Sequence, residues 1–264
     1  MSESSHSALF CRICLAIVLF WGASEGRAQT LHLVADEWCP YNCEPNSEKP
    51  GFMVEIMTRA FAGQGVDIHY STLPWLRALR ETRNGKYHAT IGASKAEAPD
   101  FIFPRLEQGE MRNGFWVNTD SPWQFQGLHS LSLVQLGILA GYGYGPALTQ
   151  YIDSDSSKEM ISVIRGDKPL DTGLAMLLRQ RIDALVEDET VMRQKIAQAD
   201  IEGKVKLAGY VPTTDRFSKV YIAFSPADKN SKKYANILSQ AMLEMRANGE
   251  LEKILARYHL SDWR

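Results

Sequence analysis

The chain lacks any apolar run as long as a membrane-spanning helix requires. Its most apolar stretch, Ile13 to Ala23, holds eleven uncharged residues, whereas a helix that crosses a bilayer needs roughly 20. An excess of basic residues is also missing, because 29 Lys and Arg stand against 31 Asp and Glu, for a net charge of −2. This balance gives no electrostatic attraction for nucleic acid or anionic lipid, so we expect no nucleic-acid partner.

The short apolar stretch at the N-terminus instead has the features of an export signal. Arg12 precedes the stretch, its length fits the apolar region of a signal peptide, and the small-x-small site Gly26-Arg27-Ala28 follows it. We therefore predict a signal peptide over residues 1–28 that is cleaved before Gln29. A membrane anchor or a buried N-terminal helix is the alternative interpretation.

Cysteine is scarce, with four residues in the whole chain. Cys11 and Cys14 leave with the predicted signal, so Cys39 and Cys43 are the pair that remains. Two neighbouring cysteines in an exported protein favour a disulfide, and so small a ring restricts the unfolded chain by only about 2 kcal/mol. We expect this disulfide to stiffen a loop. A metal site is the alternative, but it needs further ligands and no histidine lies nearby, so we predict neither metal nor cofactor.

The remaining sequence alternates between strand and helix patterns. From Leu31 to Ala93 the apolar spacing predicts the order βαβαβ, with helices that begin at Pro50-Gly51 and Pro74. The alternation starts again near Val134, and two helices, Ser231 to Ala247 and Leu251 to Tyr258, close the chain. Such alternation predicts mostly parallel sheets flanked by helices.

Two α/β blocks of this kind predict two lobes. We expect Trp116-Val117 and Val220 to Phe224 to be the segments that cross between them. This division assigns residues 29–117 and 220–264 to the first lobe and residues 118–219 to the second.

Several short motifs, taken in order, resemble the type II periplasmic solute-binding proteins, specifically the bacterial extracellular family 3 that includes polar amino-acid receptors of ABC transporters. Each motif alone is weak, but their order and spacing cover nearly all of the chain after Gln29. The motifs are Trp38-Cys39-Pro40-Tyr41, Gly51 to Ile56, Pro74-Trp75, Gly85-Lys86, Phe103-Pro104, Gly141-Tyr142-Gly143 and Asp183 to Asp188. The resemblance implies a two-lobed α/β protein with a hinge of two crossing segments, C-terminal helices that return to the first lobe, and a solute in the cleft.

The resemblance also implies which residues contact that solute. Trp38 and Trp75 lie where the family holds its ligand between aromatic rings, which suit an apolar or cationic ligand. Asp188 matches the carboxylate that receives a ligand ammonium, and the predicted contacts include Gly141 and Tyr142 of the glycine-rich turn, whose backbone N–H groups favour an anion. For each the alternative is structural: core packing for the tryptophans, a plain turn at Gly141, and a solvated acid at Asp188.

One part of the family pattern is absent. Amino-acid receptors of this family usually carry Thr-x-x-Arg before the Phe motif, and that Arg binds the ligand carboxylate. This chain has Ser94-Lys95-Ala96-Glu97 instead. We retain Ser94 as a predicted contact and propose Arg77 as the substitute for the missing Arg, with a solvated helix arginine as the alternative.

The sequence thus predicts a monomeric periplasmic receptor that captures a small polar solute, amino-acid-like or cationic, for an ABC transporter permease. A membrane sensor that reads the same closure is an alternative partner. A dehydratase of the same fold is an alternative activity, but we find no nucleophile motif and no Ser-His-acid set, and we predict that the chain is not an enzyme.

Overall fold

The computed structural model describes residues 29–214 and 218–264, so the predicted signal at 1–28 lies outside the described residues. The strands are β1 (Gln29–Ala35), β2 (Val66–Thr72), β3 (Ala89–Ala93), β4 (Gly109–Glu110), β5 (Asn113–Asn118), β6 (Leu136–Leu139), β7 (Ile161–Ile164), β8 (Ala184–Asp188), β9 (Val205–Tyr210) and β10 (Lys219–Phe224). The α-helices are α1 (Phe52–Ala62), α2 (Trp75–Arg83), α3 (Pro146–Ile152), α4 (Pro169–Leu178), α5 (Glu189–Gln198), α6 (Ser231–Ala247) and α7 (Glu250–Ala256).

The strands form two five-stranded sheets, which confirms the predicted α/β class and the two lobes. The first sheet has the order β2-β1-β3-β10-β4 and the second has the order β7-β6-β8-β5-β9. In the first sheet β1 pairs in parallel with β2 and β3, whereas β10 runs antiparallel to β3 and β4. In the second sheet β6 pairs in parallel with β7 and β8, and β5 runs antiparallel to β8 and β9.

Each sheet has its own buried core. In the first lobe Leu31 and Leu33 of β1 pack in one cluster with Met57 of α1, Leu238 of α6 and Leu251 of α7. The C-terminal helices therefore return to the first lobe, as expected. In the second lobe successive residues of β5 point to opposite faces: Phe115 joins one apolar cluster and Trp116 another. The sequence of a strand that is buried on both faces is a continuous run of apolar residues.

The crossings between the sheets differ from the predicted ones. Trp116-Val117 lies inside β5, which pairs only with strands of the second sheet, and Val220 to Phe224 lies inside β10 of the first sheet. The chain passes between the sheets at residues 111–112, between β4 and β5, and again between β9 and β10. The prediction of the crossing segments was wrong because an apolar strand pattern shows that a strand is buried but not which sheet it joins.

Helix α4 begins at Pro169, with Lys168 in the cap position. Proline suits the first helical position because its fixed φ is helical and the N–H it lacks would have no helical partner. In the described part of the chain no helix is both long and apolar enough to span a bilayer.

Candidate functional site

A cleft lies between the two lobes, where loops at the carboxyl ends of strands from both sheets meet. Ligands of open α/β sheets bind at such strand ends. The cavity has a free volume of about 30 Å³, so the two lobes nearly fill it in this conformation. It is lined by Asp36, Trp38, Trp75, Ile91, Gly92, Glu97, Met111, Asn113, Tyr142 and Gly143.

Trp38 is held in the cleft by the short turn that follows β1. Its backbone N–H donates to the carbonyl of Asn42 at 2.9 Å, and a disulfide joins Cys39 to Cys43 in the same turn, which confirms the predicted pairing. The indole stacks on Tyr41, with ring centroids 4.0 Å apart. It also lies close to Gly92, where an added Cβ would sit 3.5 Å from the indole. The turn therefore fixes a flat apolar wall.

Trp75 and Tyr142 face each other from opposite lobes. Trp75 begins α2, and its Nε1–H donates to the carbonyl of Gly141 at 3.1 Å. The Tyr142 hydroxyl donates to Oδ2 of Asp36, which directly follows β1. The two rings meet edge to face, with centroids 6.5 Å apart. The predicted residues Trp38, Trp75, Gly141 and Tyr142 are thus brought together at the interface of the lobes.

Glu97 projects into the cleft from the loop after β3. The Ser94 backbone N–H donates to Glu97 Oε2 at 3.1 Å, and the Glu97 N–H donates to the Ser94 hydroxyl at 3.2 Å. Across the cleft Gly143 leaves room for this side chain, since a Cβ there would lie 2.6 Å from Glu97 Cδ. Burial raises the pKa of the Glu97 carboxyl above its usual range. Ser94 is buried and meets the cleft through Glu97.

Glu187 connects the lobes from the end of β8. Its Oε1 accepts the Trp38 Nε1–H at 3.0 Å and the Asp188 backbone N–H at 2.7 Å. Its Oε2 is buried and accepts no hydrogen bond within the described part of the chain. Only 1% of Glu187 is exposed, and this burial raises the pKa of its carboxyl to about 8. At neutral pH the carboxyl is therefore mostly protonated.

Asp188 caps α5 in this conformation. Its Oδ1 accepts the Val191 N–H at 3.0 Å, and its Oδ2 accepts the Arg112 N–H at 2.7 Å. The carboxylate thus joins the helix to the crossing segment at residues 111–112. Burial raises its pKa to about 6. Asp188 does not line the cavity, and its contact with a solute stays a prediction.

Arg77 lies on the exposed side of α2. Its side chain is 52% exposed, and its Nε is 3.7 Å from Oε1 of Glu81, one turn along the same helix. The structure does not bring it into the lining of the cavity. Lys95, the cation that follows Ser94, places its Nζ 4.8 Å from the centre of the Tyr221 ring. Neither side chain fills the place of the Arg that is missing from the family pattern.

Charge in the cavity is of one sign. Among the described residues, its lining includes the carboxyl groups of Asp36 and Glu97 and no Lys or Arg. Burial raises the pKa of Asp36 to about 7, and nearby Glu97 adds to the shift. Cationic side chains line adjoining openings that share Tyr142 with the cavity: Arg165 in one, and Lys168 and Lys195 in another.

The sequence prediction missed Asp36, Glu187 and Asn113. Asp36 carried a usable signal, because it follows a predicted strand in the first lobe, at the strand end where sites form. Glu187 and Asn113 carried none, because whether a residue at a strand end faces the cleft depends on which strands pair.

Fold and cleft together define a two-lobed α/β binding protein with its site between the lobes. Residues 32–261 match the model of the bacterial extracellular solute-binding proteins, family 3, and the chain belongs to that family. No curated protein sequence matches the chain.

Solved structures share the fold at low identity. A histidine kinase sensor domain similar to periplasmic binding proteins has a TM-score of 0.71 at 16% identity, covering 89% of this chain and 99% of that one. An ancestral arginine-binding protein bound to glutamine has a TM-score of 0.69 at 18% identity, covering 87% and 97%. A structure concerning glutathione import via GshT and the cystine ABC importer TcyBC of Streptococcus mutans has a TM-score of 0.72 at 16% identity, covering 87% and 94%.

Proposed function

We propose that the chain is a periplasmic receptor that captures a small polar solute by closing its two lobes and delivers it to an ABC transporter permease. The observation that carries the proposal is a cleft whose two sides are joined by direct hydrogen bonds. Trp38 donates to Glu187 and Trp75 donates to the Gly141 carbonyl, each from the first lobe to the second. In the opposite direction, Tyr142 donates to Asp36.

Closure follows from this geometry. These hydrogen bonds form only when the lobes meet, so their free energy belongs to the closed state alone. A solute that contacts both lobes adds a further preference for closure and shifts the population toward it. The permease then distinguishes loaded from unloaded receptor by shape.

The further assignments fit this function. We propose export through the signal at 1–28, with the mature chain acting as a monomer in the periplasm. We also propose that the lobes are residues 29–112 with 219–264, and residues 113–218. This division follows the strand pairing rather than the boundary expected at residue 117.

A sensing role is the second candidate, and one observation favours it. The fold is shared over 89% of the chain with a histidine kinase sensor domain. In that case a membrane sensor, rather than a permease, would read closure. Since the family and its structural neighbours are binding proteins, we propose no catalytic step.

The test is a thermal-shift screen of the mature protein against amino acids, amines, small peptides and organic acids. A solute present at 100 times its dissociation constant adds about 2.7 kcal/mol to the free energy of unfolding. We expect one chemical class to raise the unfolding midpoint, and Trp75→Ala to abolish the rise. Leu133→Ala is the control, because Leu133 is 75% exposed and away from the cavity.

Two results would overturn the receptor assignment. One is a screen in which no class of compound stabilises the protein. The other is conversion of a stabilising compound into a product during incubation with the protein, which would make the chain an enzyme.

A further inference from the structure

We infer that the cleft selects an organic cation that carries no carboxylate, such as a free amine or an alkylguanidine. The inference rests on the proposed function and names the class of solute for the same cavity. Three features carry it. Aromatic rings form the walls of the cleft, and the acids of the cleft have no ion-pair partner among the described residues. In addition, the carboxyl of Glu97 already accepts a backbone N–H that a ligand carboxylate would use.

The walls are aromatic on both sides of the cleft. Trp38 and Trp75 come from the first lobe and Tyr142 from the second, and all three line the cavity. Trp38 is 7% exposed and Trp75 is 6% exposed, so the rings are held by packing. Faces of aromatic rings attract ammonium and guanidinium groups.

The acids of the cleft lack cationic partners. Asp36 and Glu97 line the cavity, and Glu187 lies behind Trp38. Among the ion pairs of the described residues, none involves these three carboxyl groups. Burial of an ionised carboxylate without a partner is costly, so such a group either takes up a proton or meets a cation. A cationic solute supplies the missing charge.

Glu97 takes the place of a ligand carboxylate. Its Oε2 accepts the Ser94 backbone N–H at 3.1 Å. A Cβ placed on Gly143 of the second lobe would lie 2.6 Å from Glu97 Cδ, so the carboxyl also lies against the glycine-rich turn. The carboxyl therefore stands at one point between the two lobes, on a backbone N–H that could otherwise donate to a solute carboxylate. Because Glu97 already occupies that point with its own negative charge, a solute carboxylate there would meet repulsion in place of donors.

The cations of the adjoining openings do not restore a carboxylate site. Arg165 lies at the surface, and its Nη1 donates to the Val163 carbonyl at 3.4 Å. Lys195 is paired with Asp171. Lys168 shares its opening with the acids Glu37, Asp167 and Asp171. Among the described residues, an amino acid whose ammonium lies among the aromatic rings therefore finds no arginine in the cavity lining for its carboxylate.

The experiment compares each amino acid with its decarboxylated counterpart by calorimetry on the mature protein. The probes are arginine against agmatine, lysine against cadaverine, and glycine betaine against tetramethylammonium. We expect the carboxylate-free member of at least one pair to bind at least 10-fold tighter than its partner. Equal or tighter binding of the amino acids overturns the inference. If all six probes fail to bind while another class from the solute screen does bind, this inference is wrong and the receptor assignment survives.

Variants locate the effect in the cleft. Glu97→Gln keeps the shape of the side chain but removes its charge, so we expect at least a 10-fold loss of affinity for the carboxylate-free probe and a smaller gap between the two members of the pair. Glu159→Gln, an exposed acid of the second lobe, is the matched control and should change neither value. Urea unfolding of both variants checks that the fold is intact. An unchanged gap in Glu97→Gln would contradict the role given to Glu97.

Discussion

At the scale of single residues, the cleft concentrates acids that are costly to ionise. Burial raises the pKa of Asp36 to about 7, of Asp188 to about 6 and of Glu187 to about 8. All three carboxyl groups therefore hold a proton more tightly in the folded protein than in the unfolded chain. Folding and proton binding are coupled wherever the two values differ.

The coupling predicts how stability depends on pH. Between pH 6.5 and 8 the unfolded chain has released the Glu187 proton, whereas the folded protein still holds it, so the free energy of unfolding falls as pH rises. The fall is up to about 1.4 kcal/mol per pH unit for one such group. His88, whose pKa is lowered mainly by burial, opposes this slope near pH 6.5, because the unfolded chain then binds more protons at this residue than the folded protein does. Urea unfolding at pH 6.5, 7.2 and 8 measures the slope, which Glu187→Gln should reduce and Glu159→Gln should not. A stability that rises with pH would contradict the assignment.

Asp188 gives a second prediction, because its carboxylate caps α5 and is also the predicted contact for a solute cation. Asn is as good a helix cap as Asp, but its single acceptor oxygen can keep only one of the bonds to Val191 and Arg112, at a cost of about 1 kcal/mol in the free energy of unfolding. If Asp188 also receives a solute cation, Asp188→Asn weakens binding by roughly 10- to 150-fold. Calorimetry with the stabilising solute measures the affinity of the Asp188→Asn variant. An unchanged affinity would mean that Asp188 has a structural role alone.

At the residue scale, the sequence indicated the aromatic residues of the cleft, whose contact with a solute stays a prediction, and it indicated the acids only in part. Trp38, Trp75 and Tyr142 stand in recognisable turns after strands, and all three line the cavity. Glu187 was passed over because it precedes the more familiar Asp188, and alternation along β8 could not show which of the two carboxylates would reach Trp38.

At the scale of elements, the cleft depends on close approach of two loops. Glu97 from the loop after β3 lies against Gly143 from the loop after β6. Gly143 does not adopt a left-handed backbone conformation, so its missing side chain matters for space rather than for φ.

Gly143→Ala is therefore expected to act on the solute site and not on folding. The new Cβ would lie 2.6 Å from Cγ and Cδ of Glu97, closer than real contacts allow, and would displace that side chain. We expect about a 10-fold loss of affinity for the stabilising solute, measured by calorimetry, with little change in urea unfolding. The control is Gly63→Ala, since Gly63 ends α1 in a helical conformation with no atom within 4 Å of the new Cβ. Equal affinities in the two variants would argue against a functional contact between the loops.

Elements themselves were largely predictable, but their partners were not. Helix α6 has the predicted bounds and α2 begins directly after Pro74, because Pro74 and the apolar spacing define them locally. The crossing segments were placed wrongly because β5 and β10 are apolar strands whose sheet is decided by pairing across long stretches of the chain.

At the scale of the whole molecule, the two lobes meet through a few polar contacts and through apolar ones, since Val191 of α5 packs in the core of the first lobe. The contacts include Trp38 with Glu187, Trp75 with Gly141 and Tyr142 with Asp36. A hydrogen bond has a modest net free energy, about 1 kcal/mol, so a few such bonds leave the lobes free to separate. A solute that contacts both lobes shifts the equilibrium between separated and closed lobes toward the closed state.

Small-angle X-ray scattering of the mature protein, with and without the stabilising solute, tests the closing cleft most directly. We expect a smaller radius of gyration with the solute. The solute raises the fraction of protein in the closed state, in which Trp38 donates to Glu187 and Trp75 donates to Gly141. A solute that binds one to one with an unchanged radius of gyration would contradict the closing cleft.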